Sequence, residues 1–493
     1  MASEVMTGAA ERGTDASEGI GDRERTIAWR LLIAIVVLYV AAQVVLLPID
    51  RPPLWDESVY LSQVTPGSNA IIFLASRARG ITLLIAPVTL LGGSVTAVRM
   101  FLLIASAAAT ALAYCVWVPL IGLAAPVGAI TYSFSWLALL NGTDIFPNVW
   151  SAILALATAG WVARRALHGH PRDTVLASST IAAMALIRPT DAVVLAAGVA
   201  FWIVVLRRSA WRLAGALGVG LAIGWAPWLI EMSIRFGGPV RAFHEGAMAG
   251  NVDAGSGFVT NVLVHLTATA GHPPASGVPA AGIAWWSVLG ALIAFAIARA
   301  PRLERTVSIL ATLGALALAT EYLVFVSGTA ARFLLPTYAL ASIPLGVAIL
   351  TLLRGRGVPR PVGRVLAALV LLLLVPWAIW QGMVADRYLS KRLLSTDAFA
   401  SVGHTLRRLA NGRPCSFQSP HGWPTTQFVS GCDGADLERP GGPTAEELDE
   451  LVAHGDQVFV ILKRNPPRWS PLATETPLRV DGPYRPWFVF AVP

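Results

Sequence analysis

Residues 31–60 read LLIAIVVLYVAAQVVLLPIDRPPLWDESVY and hold the pattern on which the fold depends. The first 17 of these residues carry no charge, and at about 1.5 Å of rise per helical residue they can cross the hydrocarbon core of a bilayer. Pro52 and Pro53 follow the apolar run, and the adjacent acids Asp56 and Glu57 come next. The stretch predicts a transmembrane helix that leads into a polar loop at the membrane surface.

The composition of the whole chain agrees with this pattern. Of the 493 residues, 55% are hydrophobic and 13% are charged, which excludes a water-soluble domain with a single core. The formal net charge is +8, but basic residues in a membrane protein mostly hold its topology, so no nucleic-acid partner is expected. The chain is expected to be an all-α polytopic membrane protein that contacts membrane lipids.

Apolar runs between helix breakers predict about eleven transmembrane helices. A polar segment at 1–26 is expected to be a disordered cytoplasmic tail, and 27–383 to form the membrane domain, with a first outer loop at 48–97. The predicted spans are 28–47, 98–118, 126–140, 149–162, 175–187, 192–206, 213–233, 281–298, 307–326, 335–353 and 365–381.

Arginine clusters fall at alternate turns of this series, and the positive-inside rule places such turns in the cytoplasm. The N-terminus is therefore expected on the cytoplasmic side of the plasma membrane, and the C-terminus on its outer side. The clustered residues are Arg23, Arg25, Arg30, Arg164, Arg165, Arg172, Arg207, Arg208, Arg212, Arg299, Arg302, Arg305, Arg354, Arg356, Arg360 and Arg364.

The segment 384–493 is expected to be a small extracytoplasmic α/β domain, because its apolar density falls. Patterns typical of helices occur at 396–409 and 444–453, and patterns typical of strands at 456–462 and 487–492. Cys415 and Cys432 both lie here, and an oxidising compartment favours a disulfide between them. Two free thiols are the alternative.

The first outer loop carries the residues that favour chemistry. The sequence from Asp56 onward predicts an interfacial helix that holds Asp56 at headgroup level, although Asp56 could instead serve only as the helix N-cap. Trp55 and Tyr60 could line a sugar pocket or anchor the loop in the membrane interface. Asp144, in the turn NGTDIFPN at 141–148, could meet this loop or serve only its own turn.

A second set of candidates consists of arginines on the predicted outer side, where the positive-inside rule does not require them. Their planar, permanently charged guanidinium groups suit a phosphate. The alternative is that each arginine pairs with an acid or extends to the lipid headgroups. These residues are Arg77, Arg79, Arg188 and Arg332.

Four segments, in this order, resemble polytopic glycosyltransferases of the GT-C fold, of the protein O-mannosyltransferase and aminoarabinose-transferase type (glycosyltransferase family 39). They are Asp56-Glu57 with Tyr60, LGGSVTAVR at 91–99, ALIRPT at 185–190 and ARFLLP at 331–336. The resemblance covers roughly the first 380 residues. It departs from the family at 75–80, which read ASRARG where many members have Lys-Pro-Pro or His-Pro-Pro.

The resemblance implies inverting transfer of a hexose or pentose from a polyprenyl-phosphate donor to a hydroxyl of a glycan, lipid or protein acceptor outside the membrane. Asp56 would be the base, and Glu57 would orient it or pair with an arginine. The lipid chain would lie in a groove between spans. Arg332, Arg188 and Arg79 would stabilise the leaving phosphate, with Arg77, Asp144 and Tyr60 nearby.

No cofactor is evident from the sequence. Members of the family differ in whether they need a metal, and the scattered histidines form no ligand pattern, so a divalent ion stays an open question. Two other functions also stay open: a transporter or lipid flippase, and a non-catalytic membrane subunit of a cell-envelope assembly. A transporter commonly shows related halves, and this sequence shows no internal repeat.

Overall fold

The computed structural model describes residues 21–75, 77–206, 211–250, 257–269, 280–326, 330–355, 359–420, 423–437, 442–453, 457–464, 466, 470, 472, 475–481 and 486–492. Residues 1–20 of the predicted cytoplasmic tail lie outside these ranges. The first helix begins at Asp22, so it includes the last part of that predicted tail.

The helices in chain order are α1 Asp22–Leu46, α2 Trp55–Ser62, α3 Gly80–Leu90, α4 Val95–Cys115, α5 Val118–Ile121, α6 Ala124–Ser133, α7 Trp136–Asn141, α8 Pro147–His168, α9 Pro171–Ile187, α10 Pro189–Leu206, α11 Trp211–Arg235, α12 Pro239–Gly250, α13 Phe258–Thr269, α14 Ala280–Arg299, α15 Arg302–Thr320, α16 Leu335–Leu353, α17 Arg360–Ala410, α18 Trp423–Ser430 and α19 Ala445–Ala453. A π-helical segment, Glu321–Phe325, and a 3-10 turn, Ala331–Leu334, lie between α15 and α16. The strands are β1 Cys415–Ser419, β2 Asp433–Asp436, β3 Gln457–Leu462, β4 Leu478–Val480 and β5 Trp487–Val492.

The helical part of the chain is a multi-pass membrane bundle. Within the described ranges, seven helices are long and apolar enough to cross a membrane, namely α1, α4, α11, α14, α15, α16 and α17. Each of the eleven predicted spans overlaps at least one helix, while the count of eleven crossings stays a prediction. Helices α6 and α16 approach closely, since a Cβ on Gly128 would lie 2.6 Å from the carbonyl oxygen of Ser342.

The predicted span 126–140 is not one helix. It is divided into α6 and α7, because the Ser135 hydroxyl accepts a hydrogen bond from the Ala138 amide at 3.3 Å and so caps a new helix. The second piece, α7, ends beside the turn that contains Asp144. The break therefore lies one short helix away from a candidate site residue.

The sequence also suggested a span at 365–381 and a separate helix at 396–409, but α17 is one continuous helix of 51 residues. No proline follows Pro376 within it, and the helix ends where Asn411 adopts a left-handed conformation. The domain boundary expected between residues 383 and 384 thus falls inside α17. A single helix connects the membrane bundle to the C-terminal module.

The C-terminal module is built on a five-stranded sheet in the order β2-β1-β3-β5-β4. Strands β1, β2 and β3 are parallel, and β5 is antiparallel to both β3 and β4. The strand predicted at 487–492 is confirmed as β5, and the one at 456–462 agrees with β3 to within one residue. The predicted Cys415–Cys432 disulfide is confirmed and joins β1 to the residue before β2.

The C-terminal module rests on the first outer loop. Helix α18 packs against α2, and the Thr425 hydroxyl donates a hydrogen bond of 3.3 Å to the Pro53 carbonyl oxygen. The Asn69 amide also donates to Asp433 at 3.2 Å. The loop that carries Asp56 is therefore covered by the module on one side.

We predict that replacing Cys415 and Cys432 together by serine destabilises the module by about 2–3 kcal/mol, because an intact bridge limits the entropy of the unfolded chain. The bridge closes a loop with a sequence separation of 17 residues. Amide hydrogen exchange on the full-length protein in detergent should become faster in β1 and β2 but not in α16. Cys115→Ser, in α4, is the control, and unchanged exchange in β1 and β2 would contradict the prediction.

Candidate active site

The N-terminus of α2 is capped by the side chain of Glu57 and not by that of Asp56. Leu54 is the N-cap residue, and its backbone N–H donates to the Glu57 carboxylate at 2.7 Å. This is the reach-back half of a capping box, which needs the acid at the third helical position. The alternative in which Asp56 only caps the helix is therefore wrong, and its carboxylate is free to make other contacts.

Four charged side chains form an inner cluster beneath α2: Arg51, Glu57, Arg99 and Asp144. Each of them is at most 3% exposed. Arg99 of α4 donates to both oxygens of Glu57, at 2.9 and 2.7 Å, and lies 3.6 Å from Asp144. Arg51 pairs with Asp144, so this residue does meet the first outer loop. The inner cluster joins that loop to α4 and to the turn after α7.

Burial of Glu57 opposes its ionisation, but the opposing effect of its partners is larger. The charges of Arg99 and Arg51, together with the hydrogen bonds from Arg99 and the Leu54 N–H, hold the pKa of Glu57 below its ordinary value. The Ile145 N–H donates to the same carboxylate at 2.9 Å. Glu57 is 0% exposed, so its position suits orientation of α2 and not direct contact with a substrate.

Above the inner cluster lies an outer cluster of Asp56, Arg77 and Arg332, each about one fifth exposed. Asp56 Oδ1 lies 3.0 Å from Arg77, and Asp56 Oδ2 lies 2.7 Å from Arg332. The rings of Trp55 and Tyr60 face the Arg77 guanidinium at 5.3 and 5.6 Å. The structure thus brings the first outer loop, with α2 and Arg77, together with the 3-10 turn before α16, which is 276 residues away from Asp56 in sequence.

Two aromatic rings and one arginine extend the outer cluster toward α17, and the sequence did not point to them. Arg332 lies 4.5 Å and Arg392 lies 5.7 Å from the centre of the Phe146 ring. Arg392 also lies 5.2 Å from the Tyr388 ring and 3.5 Å from Asp144 Oδ2. The available signal was the spacing of Tyr388 and Arg392, which are four residues apart and so share a helix face.

The other two predicted arginines lie outside the outer cluster and pair with acids. Arg79 is 3.1 Å from Glu231 of α11 and donates to Gln63 at 3.0 Å. Arg188 is 3.0 Å from Asp191 and also donates to the Tyr322 hydroxyl. Arg79 and Arg188 therefore agree with the alternative in which an outer arginine pairs with an acid.

Arg188 is nevertheless connected to the outer cluster through an aromatic ring. Its guanidinium lies 5.4 Å from the Phe333 ring, and the Arg332 guanidinium lies 5.5 Å from the same ring. Arg188 and Asp191 therefore form a neighbouring charged pair beyond Arg332, whereas Arg79 ties the first outer loop to α11.

The described residues contain no group of three or more His, Cys, Asp or Glu side chains that could hold a metal ion. The carboxylates of Asp56, Glu57 and Asp144 instead each face arginines. The site as described does not fit a metal centre built from protein ligands alone.

No protein-family model matches the sequence, and no curated protein matches it. Several solved structures, however, match the structure of this chain. ArnT from Cupriavidus metallidurans bound to undecaprenyl phosphate matches over 93% of this chain and 97% of that chain, with a TM-score of 0.64 at 13% identity. The chain has the GT-C fold.

Two further structures share the GT-C fold with this chain. Archaeal oligosaccharyltransferase AglB from Archaeoglobus fulgidus, in complex with an inhibitory peptide and a dolichol-phosphate, matches over 88% of this chain and 69% of that chain, with a TM-score of 0.51 at 12% identity. Arabinofuranosyltransferase AftD from Mycobacteria matches over 94% of this chain and 40% of that chain, with a TM-score of 0.53 at 15% identity. At these identities the likeness shows the fold alone.

We predict that Glu57→Gln lowers the free energy of unfolding by about 3 kcal/mol, because it leaves the buried Arg99 without its main counter-charge. Glu245→Gln is the matched control, since Glu245 pairs with Arg241 at 2.7 Å on the exposed surface of α12, where such a pair contributes about 1 kcal/mol or less. Thermal unfolding of both variants in one detergent would measure the difference. Equal losses would show that the inner cluster does not stabilise the fold.

The same variant should change the acid dependence of stability. The pKa of Glu57 is lower in the folded protein than its ordinary value of 4.5, so its stabilising effect is full above pH 4.5 and is lost as the pH falls through the lowered pKa. The difference in stability between wild type and Glu57→Gln should therefore narrow on acidification below that value. A difference that stays constant would contradict this assignment.

Proposed function

We propose that this protein is a membrane glycosyltransferase that moves a sugar from a polyprenyl-phosphate donor to an acceptor hydroxyl, with inversion at the anomeric carbon. The observation that carries the proposal is the outer cluster: a partly exposed carboxylate, Asp56, in contact with two arginines at the surface end of a membrane bundle. A base and a set of phosphate ligands are the two components that this transfer needs.

The structural neighbours support the class of donor. ArnT was solved with undecaprenyl phosphate and AglB with a dolichol-phosphate, both of which are long isoprenoid chains that end in phosphate. We therefore propose a polyprenyl phosphate as the lipid carrier of the sugar. The acceptor would be a hydroxyl group of a glycan, a lipid or a protein.

The charges of the two clusters favour an anionic ligand. Together with Arg392, which extends the outer cluster, they bring five arginines against the three carboxylates of Asp56, Glu57 and Asp144. Because the inner carboxylates are already in buried ion pairs, the cationic excess lies toward the exposed side, where a phosphate could accept bidentate hydrogen bonds. The five arginines are Arg51, Arg77, Arg99, Arg332 and Arg392.

An apolar groove suits the isoprenoid chain. It has a volume of about 450 Å³ and lies between α14, α16 and α17. Its walls include Trp285, Leu345, Leu373, Trp377 and Trp380.

A series of side-chain contacts connects the groove with the charged clusters. A smaller pocket shares Trp285 with it and extends to Trp136 of α7. The Trp136 ring lies 4.9 Å from the Tyr388 ring, and Tyr388 faces Arg392 at 5.2 Å. A lipid chain in the groove would therefore have its phosphate end directed toward Arg392 and the outer cluster.

In the proposed mechanism the acceptor oxygen attacks the anomeric carbon and transfers its proton to Asp56. The bond between that carbon and the phosphate oxygen breaks, and its electron pair leaves with the lipid phosphate. Arg332 and Arg77 stabilise the charge that develops on this leaving group. Glu57 acts indirectly by fixing the orientation of α2.

Donor binding would also prepare the base. Both oxygens of Asp56 lie in ion pairs, one with Arg77 and one with Arg332. A donor phosphate competes for the same guanidinium groups, and their withdrawal frees the carboxylate to accept a proton. This order places donor binding before deprotonation of the acceptor.

We further propose that the site faces outward from the plasma membrane, with a cytoplasmic N-terminus. The arginine distribution in the sequence supports this orientation. The disulfide between Cys415 and Cys432 also supports it, because such a bond persists in an oxidising compartment.

We expect Asp56→Asn to reduce sugar transfer by about 10²-fold or more while donor binding is retained, because the amide keeps the shape of the carboxylate but cannot accept the proton. The assay is release of lipid phosphate from a panel of radiolabelled polyprenyl-phosphate sugars by the purified protein in nanodiscs. Asp50→Asn is the control, since Asp50 is an exposed acid at the start of the same loop.

The alternative outcomes are informative. Full activity of Asp56→Asn would place the base elsewhere in the chain. If wild-type protein transfers no sugar from any donor but moves lipid across the bilayer, the glycosyltransferase proposal fails and a flippase takes its place.

A second test addresses the groove. Trp377→Ala should raise the KM for a long-chain donor several-fold and leave the KM for a short-chain donor unchanged, because only the long chain reaches the Trp377 wall. Trp211→Ala, which removes a tryptophan that is 69% exposed on α11, should change neither value. Equal effects on both donors would show that the chain lies elsewhere.

A further inference from the structure

The neighbours of Arg392 on α17 hold its side chain in place but do not use all of its N–H donors. One guanidinium nitrogen lies 3.5 Å from Asp144 Oδ2, which is longer than a charge-assisted hydrogen bond, and among the described residues this buried oxygen has no hydrogen-bond partner. Asp144 already pairs with Arg51 and lies 3.6 Å from Arg99, so it does not depend on Arg392 for neutralisation. The N–H donors of Arg392 are therefore available to a ligand.

The position of this guanidinium favours an anion. Arg332 and Arg392 both face the Phe146 ring, at 4.5 and 5.7 Å, and their side chains are 20% and 21% exposed. Two like charges so close to one ring repel each other, and their partial burial reduces screening by water. A phosphate that bridges the two guanidinium groups would relieve this repulsion and accept hydrogen bonds from Arg392.

The continuity of α17 connects this arginine to the groove. Trp377 and Trp380 line the groove, and Arg392 follows Trp380 by 12 residues on the same unbroken helix. At 1.5 Å per residue, the two positions are about 18 Å apart along the axis. Because no proline interrupts α17 between these residues, helix geometry sets the axial spacing between the apolar wall and the Cα atom of Arg392.

We propose that Arg392 is a ligand of the donor phosphate, so that α17 binds both ends of the lipid carrier: the isoprenoid chain through its tryptophans and the phosphate through Arg392. The inference rests on the proposed function, because it takes a polyprenyl phosphate as the donor. It adds a ligand from the helix that continues into the C-terminal module. A purely structural role, in which Arg392 only tethers α17 to the turn of Asp144, is the competing explanation.

The test measures binding of undecaprenyl phosphate and of undecaprenol to the full-length protein in nanodiscs by native mass spectrometry. Arg392→Ala should weaken binding of the phosphate by about tenfold or more and leave binding of the alcohol unchanged, because the alcohol has no charge to contact. Arg392→Lys keeps the charge but loses the planar fork, so an intermediate loss is expected. Lys391→Ala, at the exposed neighbouring position, is the matched control.

The outcomes separate this inference from the proposed function. If Arg392→Ala and Arg392→Lys weaken both lipids equally, or neither, Arg392 is only a tether and the inference fails, even if wild type transfers sugar. If the phosphate-specific loss occurs but wild type transfers no sugar, Arg392 is a lipid-phosphate ligand and the transferase proposal fails. Should Arg392→Ala unfold, the ratio of phosphate to alcohol binding in Arg392→Lys decides the question.

Discussion

The ion pair between Arg99 and Glu57 is the contact on which the site depends. Both side chains are 0% exposed, and two charges in such a position are costly unless their geometry and additional hydrogen bonds compensate for lost hydration. The bidentate contact and the N–H groups of Leu54 and Ile145 supply that compensation. With Glu57 fixed in the inner cluster, the adjacent Asp56 is directed about 100° away around the axis of α2, to a partly exposed side. Glu57 thus orients Asp56.

The arginines of the outer face have two different roles, which residue type alone does not distinguish. Arg51 and Arg99 are buried and neutralised, and they hold segments of the chain together. Arg77 and Arg332 are partly exposed and share a single carboxylate, so they retain capacity for another anion. Burial and the local ratio of acids to arginines distinguish the two roles. Neither quantity can be obtained without the three-dimensional structure.

Much of the helical architecture could be predicted from the sequence, because the lipid environment requires long apolar runs and these are visible locally. The break at Ser135 and the continuity of α17 could not, since a polar cap and the absence of a breaker are weak signals within an apolar pattern. In the site, Asp56 and Arg332 could be proposed from ordered motifs. Arg392 lies about 250 residues from its partner Asp144, and nothing in the sequence between them indicates that they meet.

In the unbroken helix α17, the number of residues between two positions also determines the relative directions of their side chains. Each residue of an α-helix advances its side chains by about 100° around the axis, so a single insertion between Trp380 and Arg392 would turn Arg392 away from Asp144 and Phe146. An insertion of seven residues would almost restore the angle but move the guanidinium group by about 10 Å along the axis. The length of this segment can therefore change very little in a functional descendant.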